Sequence, residues 1–146
     1  MGKYKSVILI ANSIGAYFAM NGLADNRIEK AIFISPIVDM EKLIMDMMGF
    51  ANISENELRD AGVIKTSFGQ TLSWEYLSYV RATPINWTIP TSILYGEKDA
   101  MTSIETISKF AKQIGANLTV MKNGEHWFHT EEQMSFLVDW INKIIS

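Results

Sequence analysis

The feature that most constrains the fold is a short apolar run that passes directly into a tight turn and a helix. Residues 7 to 10 are four consecutive apolar residues, a pattern typical of a buried strand. The small and polar stretch Ala11-Asn12-Ser13-Ile14-Gly15 follows without a spacer, and residues 16 to 20 continue as a helix suited to packing. The chain therefore begins with a strand, a sharp turn and a helix.

Ser13 lies where the pattern Gly-x-Ser-x-Gly places a nucleophilic serine, on a sharp turn between a strand and a helix. Here the two small positions are Ala11 and Gly15. We expect larger side chains at these positions to collide with neighbouring backbone, because the turn is tight. The alternative is an ordinary turn in which the Ser13 hydroxyl caps the following helix, a role that serine favours.

Composition narrows the functional classes. The chain has 146 residues, 48% of them hydrophobic and 20% charged, which predicts one globular domain. Its net charge of −3 gives no general attraction to nucleic acid or to an anionic membrane. The absence of cysteine excludes disulfides, a thiolate metal site and a cysteine nucleophile, and fits a reducing compartment. No apolar run reaches membrane-spanning length and no signal-peptide pattern is present, so we expect a cytoplasmic protein.

Four apolar runs alternate with helical patterns along the chain. The second run, residues 30 to 34, is stopped by Ser35-Pro36, because proline lacks an N–H and restricts the residue before it. The third strand and its exit lie in residues 90 to 99, and the fourth strand covers residues 118 to 121. Amphipathic helices are predicted over residues 103 to 114 and 130 to 145. This order predicts an α/β fold with a small parallel sheet of about four strands flanked by helices.

Residues 37 to 87 interrupt the alternation and predict an inserted helical subdomain. Apolar residues at helical spacing form a stripe along residues 39 to 48. Ser54, with Glu57 three residues later, predicts a capped helix that ends at Gly62. Two extended pieces, residues 63 to 66 and 70 to 72, and a helix from residue 73 to about 80 follow. The methionines and aromatic residues favour plain packing, although Met-rich surfaces also form adaptable walls for apolar ligands.

Three polar residues follow three of the predicted strands. Ser13 follows the first strand, Asp99 the third and His126 the fourth. Parallel strands end at one rim of the sheet, where ligands bind, so we expect these side chains to meet there. A histidine can take the proton of a serine hydroxyl, and a carboxylate on its other ring nitrogen fixes the tautomer. The backbone N–H of Ile14 would then supply one donor of an oxyanion hole.

Each member of this set has an alternative. Asp99 could be a turn residue or a dipole partner of the next helix, and Glu97 is the rival acid. His126 could be a loop residue with only solvent contacts, and His129 is the rival base. We favour His126 because Gly124 permits a tight turn that presents it, whereas His129 lies at the start of the last helix.

Three motifs, in residues 11 to 15, 93 to 99 and 124 to 128, together resemble the α/β-hydrolase superfamily, whose triads run in the order Ser, Asp, His. The resemblance spans the whole chain but only the C-terminal half of the family's fold. It implies carboxylesterase-like or acyl hydrolase chemistry on a small-molecule ester or acyl substrate, without a metal or organic cofactor. It also implies a truncated domain over residues 1 to 146. The implied core is residues 1 to 36 and 88 to 146, and the implied cap is residues 37 to 87.

In this family the second oxyanion donor comes from the first half of the fold, which would precede residue 6. Because one missing donor lowers rates by about a hundredfold to a thousandfold, the resemblance leaves the competence of this chain in question. The outer edge of the first strand would also lack a partner, and bare apolar edges promote association. We therefore expect a homo-oligomer in which this edge, or the adjoining face, is covered.

Two alternatives to a working hydrolase remain. One is a non-catalytic, self-associating fragment of a hydrolase. The other is a doubly wound nucleotide-binding module, with phosphate bound at the turn after the first strand. Neither of the glycine-rich nucleotide motifs, Gly-x-Gly-x-x-Gly and Gly-x-x-x-x-Gly-Lys-Ser/Thr, occurs in the sequence, which counts against the second alternative.

Overall fold

A computed structural model describes residues 5 to 23 and 27 to 146. The chain divides into two compact units, one of Met1–Val38 with Asn86–Ser146 and one of Asp39–Ile85. The second unit covers most of the stretch predicted as an insertion. Its predicted role as a cap stays a prediction.

The described residues form six strands and six helices in a mixed order along the chain. The first half contains β1 (Val7–Asn12), α1 (Ile14–Gly22), β2 (Ile28–Ile34), α2 (Met40–Ala51), α3 (Glu55–Ala61) and β3 (Val63–Lys65). The second half contains β4 (Thr71–Ser73), α4 (Trp74–Ala82), β5 (Thr91–Gly96), α5 (Ile104–Ile114), β6 (Asn117–Met121) and α6 (Glu131–Ile145).

The first unit is built on a four-stranded sheet in the order β1-β2-β5-β6, and every neighbouring pair is parallel. The predicted α/β fold with a small parallel sheet is therefore confirmed. The two central strands supply fully buried residues, among them Ile32 and Phe33 on β2 and Ile93 and Leu94 on β5. Parallel strands covered by helices need such continuous apolar runs, because both faces of the sheet are removed from water.

The edge strand β1 differs from the expectation for residues 7 to 10. The strand forms, but Val7 and Ile10 are 45% and 51% exposed, so the expected burial is wrong for these side chains. The reason is the topology: within the described part of the chain, β1 pairs with β2 alone and its other side carries no strand. An uncharged apolar strand at a sheet edge is a template for pairing with another chain, and the predicted oligomer stays a prediction.

Helices α5 and α6 follow the predicted patterns closely. The hydroxyl of Ser103 accepts a hydrogen bond from the Thr106 N–H at 3.1 Å and starts α5, and Gly115 ends it in the left-handed region at φ 69°. At the end of α6, the Lys30 ammonium donates to the Ile144 carbonyl at 3.0 Å, a favourable position for a cation. None of the described helices has the length and apolar content that crossing a membrane requires.

The second unit is stabilised by caps, apolar packing and one ion-pair network. The Ser54 hydroxyl accepts from the Glu57 N–H at 3.1 Å, as the sequence predicts for the start of α3. Strands β3 and β4 pair antiparallel, so the two extended pieces form a small sheet.

On α4, Arg81 donates to Glu55 at 2.6 Å and to Glu41 at 3.2 Å. The hydrogen bond from Arg81 lowers the pKa of the Glu55 carboxyl. The methionine stripe of α2 is buried at Met40, Ile44 and Met48.

The ends of β5 and β6 approach each other at two glycines. A Cβ atom on Gly96 would lie 2.5 Å from the carbonyl oxygen of Gly124 and 2.6 Å from that of Glu125. The close approach lets the Lys98 N–H donate to the Gly124 carbonyl at 2.8 Å. Glycine is needed at positions 96 and 124 for space. In the turn that follows β6, the residue with a positive φ is Asn123, at 60°. The expected tight turn is present, because the Gly124 N–H closes it by donating to the Met121 carbonyl at 3.0 Å, and the lack of a side chain on Gly124 also makes room for Gly96.

The first prediction concerns this contact. Gly96→Ala should lower the free energy of unfolding by about 1–3 kcal/mol, because the added methyl group meets backbone atoms that cannot rotate away. Urea unfolding followed by circular dichroism measures the change. Gly22→Ala is the matched control, since a Cβ on Gly22 meets no described atom within 4 Å. Equal stability of the Gly96→Ala variant and the wild type would contradict the prediction.

Candidate active site

The three predicted residues lie at the carboxyl ends of three parallel strands. Ser13 lies between β1 and α1, Asp99 lies three residues beyond β5, and His126 lies five residues beyond β6. The order of the strands places all three at one rim of the sheet, where ligand sites of parallel sheets are found.

The Ser13 turn is held on both sides by backbone hydrogen bonds. Its N–H donates to the Ile34 carbonyl at 3.0 Å, and its own carbonyl accepts from the Ile37 N–H at 3.0 Å. The backbone of Ser13 has φ 50° and ψ −128°, a region that non-glycine residues rarely adopt. The turn is therefore sharp and fixed, and it presents the side chain at the rim.

The Ser13 side chain contacts His126 and does not cap the helix. Although Ser13 occupies the N-cap position of α1, its side chain makes no capping hydrogen bond within the described residues. Its Oγ lies 2.9 Å from Nε2 of His126 instead. The alternative of a plain helix-capping serine is therefore wrong.

The expected crowding at the small positions of the turn is not found at Gly15. A Cβ added there meets no described atom within 4 Å outside its neighbours and its own helix backbone. The physical reason is that Gly15 is exposed beside β1, at the edge of the sheet.

Asp99 completes a continuous line of contacts with the other two side chains. Its Oδ2 lies 2.7 Å from Nδ1 of His126. The side chains of Asp99 and His126 are 1% and 9% exposed, so their contact is shielded from water. If the carboxylate accepts the Nδ1 proton, Nε2 is left as the acceptor for the Ser13 hydroxyl.

The loop that carries Asp99 is fixed by its own hydrogen bonds. The second carboxylate oxygen, Oδ1, accepts from the Met101 N–H at 2.8 Å. The hydroxyl of buried Tyr95 donates towards two carbonyl oxygens of this loop, that of Thr102 at 2.5 Å and that of Asp99 at 3.2 Å. Burial raises the pKa of Tyr95, and the charges of Asp99 and Glu105 raise it further, so its hydroxyl stays protonated as a donor.

The rival acid and base lie elsewhere. Glu97 is exposed, and its described role is a backbone one, in which its N–H donates to the Met121 carbonyl at 3.0 Å. The His129 side chain is 61% exposed and lies 2.8 Å from the Trp127 carbonyl. The structure thus brings Asp99 and His126 to Ser13 and leaves both rivals outside this contact.

Ile14 is the first residue of α1, directly after Ser13. The first N–H groups of a helix have no acceptor within the helix, and the helix dipole makes this end attractive to negative charge. The Ile14 N–H is therefore in the chain position where one oxyanion donor is expected, and this role stays a prediction.

A cavity of about 260 Å³ opens beside Ser13 and His126. The apolar residues that line it are Ile10, Ala11, Ile34, Trp127, Phe128 and Leu137. Trp127 is 70% exposed, so the cavity has an apolar residue open to solvent beside His126. The cavity is smaller than the 300–1,000 Å³ that is typical of drug-sized ligands.

Sequence reasoning missed Ser35. It was interpreted only as the residue before a strand-ending proline, but its hydroxyl donates to the His126 carbonyl at 2.8 Å and it lines the cavity. A signal was available, since Ser35 directly follows β2 and so lies at the same rim as the other three residues.

Comparisons with known proteins rest on structure alone. No protein-family model and no curated protein matches the sequence. Solved structures do match. Alpha/beta hydrolase domain-containing protein 10 from mouse has a TM-score of 0.73 at 15% identity, over 99% of this chain and 63% of its own. Est1E from Butyrivibrio proteoclasticus has a TM-score of 0.67 at 16% identity, over 94% of this chain and 62% of its own. The esterase Pf2001 of Pyrococcus furiosus has a TM-score of 0.56 at 18% identity, over 96% of this chain and 51% of its own.

The chain thus spans between about half and just under two thirds of these solved proteins, while nearly all of it superposes on them. At such low identity the likeness establishes the fold. The parallel order of the four strands and the superposition agree, and the chain therefore has an α/β-hydrolase fold that corresponds to part of these longer proteins.

Proposed function

We propose that the protein is a serine hydrolase that acts on small carboxylic esters, with Ser13 as nucleophile, His126 as general base and Asp99 as the residue that orients the base. The observation that carries the proposal is the line of contacts from Asp99 through His126 to Ser13, at 2.7 and 2.9 Å. These distances are within the range that proton transfer between a nucleophile and its base requires.

The proposed reaction has two stages. The Ser13 oxygen attacks the ester carbonyl carbon while Nε2 of His126 takes the hydroxyl proton, and the Ile14 N–H donates to the oxyanion that forms. The intermediate collapses when the carbon–oxygen bond of the alcohol breaks, and His126 returns the proton to the departing alcohol. Water then attacks the acyl-serine by the same steps and releases the acid. Asp99 stabilises the imidazolium that exists between the two proton transfers.

Acylation and turnover make different demands on the site. Ile14 supplies one proposed oxyanion donor, and absence of a second lowers rates by about a hundredfold to a thousandfold. A fluorophosphonate probe depends less on a second oxyanion donor, because its phosphorus is highly electrophilic and a single attack by Ser13 gives a stable product. Labelling of Ser13 therefore tests the nucleophile without requiring efficient ester turnover.

The second prediction concerns the nucleophile and its base. Ser13→Ala should abolish labelling by a fluorophosphonate probe, and His126→Ala should slow it by about a thousandfold, because no base is left to take the proton. Intact-protein mass spectrometry and gel fluorescence measure the label. His129→Ala is the matched control and should label like the wild type. Absence of label in the wild type, both in this chain and in a version extended at its N-terminus, would overturn the proposed function.

The third prediction separates the proposed acid from its rival. Asp99→Asn should slow labelling by about a thousandfold to ten-thousandfold, because an amide can donate to Nδ1 and leave the proton on the wrong ring nitrogen. Glu97→Gln removes the same charge two residues earlier and should leave the labelling rate unchanged. A larger fall in the labelling rate in Glu97→Gln than in Asp99→Asn would contradict the assignment of Asp99 as the acid.

The fourth prediction concerns substrate size. A small apolar cavity favours short acyl groups, and each buried methylene should raise the second-order rate constant of acylation about fourfold until the cavity is filled. The burst of nitrophenolate from nitrophenyl acetate, butyrate and octanoate measures acylation without turnover. Leu137→Ala should shift the preference towards longer chains, and Val138→Ala, on the exposed face of α6, should not. An unchanged chain-length profile in Leu137→Ala would contradict the assignment of this cavity.

A non-catalytic, self-associating protein is the second candidate. The exposed apolar edge of β1 favours it, because Val7, Ile8 and Ile10 lie on a strand without charge or proline. This candidate predicts a concentration-dependent oligomer by light scattering together with no labelling of Ser13. A labelled monomer favours the hydrolase, and a labelled oligomer is compatible with the hydrolase in an associated form.

A further inference from the structure

Ser35 has a backbone conformation that glycine would adopt with less strain. Its φ is 48°, in the left-handed region, and the residue is only 2% exposed. Non-glycine residues are uncommon there, and those that occur often lie at functional sites. Serine occupies this position although it fits the backbone less well than glycine, so the side chain itself needs an explanation.

The hydroxyl of Ser35 provides that explanation. It donates to the backbone carbonyl of His126 at 2.8 Å, across 91 positions of sequence. Glycine would satisfy the backbone but would leave this carbonyl without its donor. Ser35 is itself fixed, because its N–H donates to the Leu94 carbonyl on β5 at 2.8 Å.

The neighbours of Ser35 fix the nucleophile. The Ile34 carbonyl accepts from the Ser13 N–H, and the Ile37 N–H donates to the Ser13 carbonyl, both at 3.0 Å. Residues 34 to 37 therefore contact the backbone of Ser13 on either side and, through the Ser35 hydroxyl, the backbone of His126. One short segment at the end of β2 sets the position of the nucleophile relative to its base.

We propose that Ser35 is a positioning residue, whose hydroxyl holds the His126 backbone so that Nε2 stays within hydrogen-bond distance of Ser13. The proposal rests on the proposed hydrolase function. It adds a residue that lines the cavity and that acts on the reacting atoms through the loop carrying His126. The loop lies outside helix and strand after β6, so the place of the imidazole depends on such individual contacts.

The test separates the hydroxyl from backbone strain with two variants that change them in opposite directions. Ser35→Gly relieves the strain and removes the donor, whereas Ser35→Thr keeps a donor and increases the strain, because β-branched residues fit this region poorly. Labelling rate by a fluorophosphonate, corrected for the folded fraction, should fall about tenfold or more in Ser35→Gly, because small misplacements of reacting groups are costly. In Ser35→Thr it should stay within about threefold of the wild type, since the hydrogen bond is kept.

The stabilities of the two Ser35 variants should follow the opposite order to their labelling rates. Ser35→Thr should have the lower urea midpoint of the two, although it is the more reactive. Ser108→Gly, on the exposed face of α5, is a control that lowers stability and should leave the labelling rate of the folded protein unchanged. A labelling rate that tracks stability across all four proteins, or a wild-type rate in Ser35→Gly, overturns the proposal.

A second measurement does not depend on reactivity. The Nδ1 proton that His126 shares with Asp99 should give a low-field proton resonance in the wild type and in Ser35→Thr. In Ser35→Gly this resonance should be lost or its proton should exchange faster with water. If Ser13 is labelled neither in this chain nor in the version extended at its N-terminus, the proposed hydrolase function fails, and this resonance still decides the role of Ser35. An unchanged resonance in Ser35→Gly would then overturn that role.

Discussion

The close approach of Gly96 and Gly124 is the contact on which the arrangement of the site depends. Asp99 and His126 leave different strands, and their side chains meet just beyond the point where the two chain segments touch without intervening Cβ atoms. The hydrogen bond from Lys98 to the Gly124 carbonyl then fixes the register of the two loops. Short-range packing between backbones thus determines a long-range contact between side chains, since both side chains are carried a few residues beyond the glycines.

Much of the fold can be predicted from local patterns in the sequence. The apolar runs at β2 and β5, the Ser54 cap of α3 and the amphipathic pattern of α5 are local signals, and each is found where the sequence predicts it. The rim position of Ser13, Asp99 and His126 follows from the same patterns, because a parallel sheet collects the ends of its strands at one side. The exposure of β1 could not be predicted from its composition, since it depends on which strands lie beside it.

The finer features of the site depend on contacts between distant segments, which local patterns do not encode. Gly15 was expected to avoid a collision, and the space beside it proves open. Ser35 was interpreted through the proline after it, although its partner is the carbonyl of His126. Gly124 closes the expected turn, and it also provides room for Gly96, which the local pattern does not show. For Ser35 and Gly124 the residue type is explained by a neighbour far away in sequence, so spacing along the chain carries little information about it.

The two sides of Ser13 differ: one side is held by hydrogen bonds, and the other is the half-exposed edge of β1. On one side, β2, β5 and the loop after β6 hold the nucleophile, acid and base through hydrogen bonds that all lie within the first unit. On the other side is the edge of β1, where Ile10 lines the cavity and is half exposed. The geometry of the three side chains therefore does not depend on anything that covers this edge. Under the proposed function, completion of the cavity wall and of the oxyanion hole depends on what surrounds this edge and the N-terminus of α1. Attack by Ser13 and complete turnover of an ester are therefore separable steps of the proposed mechanism.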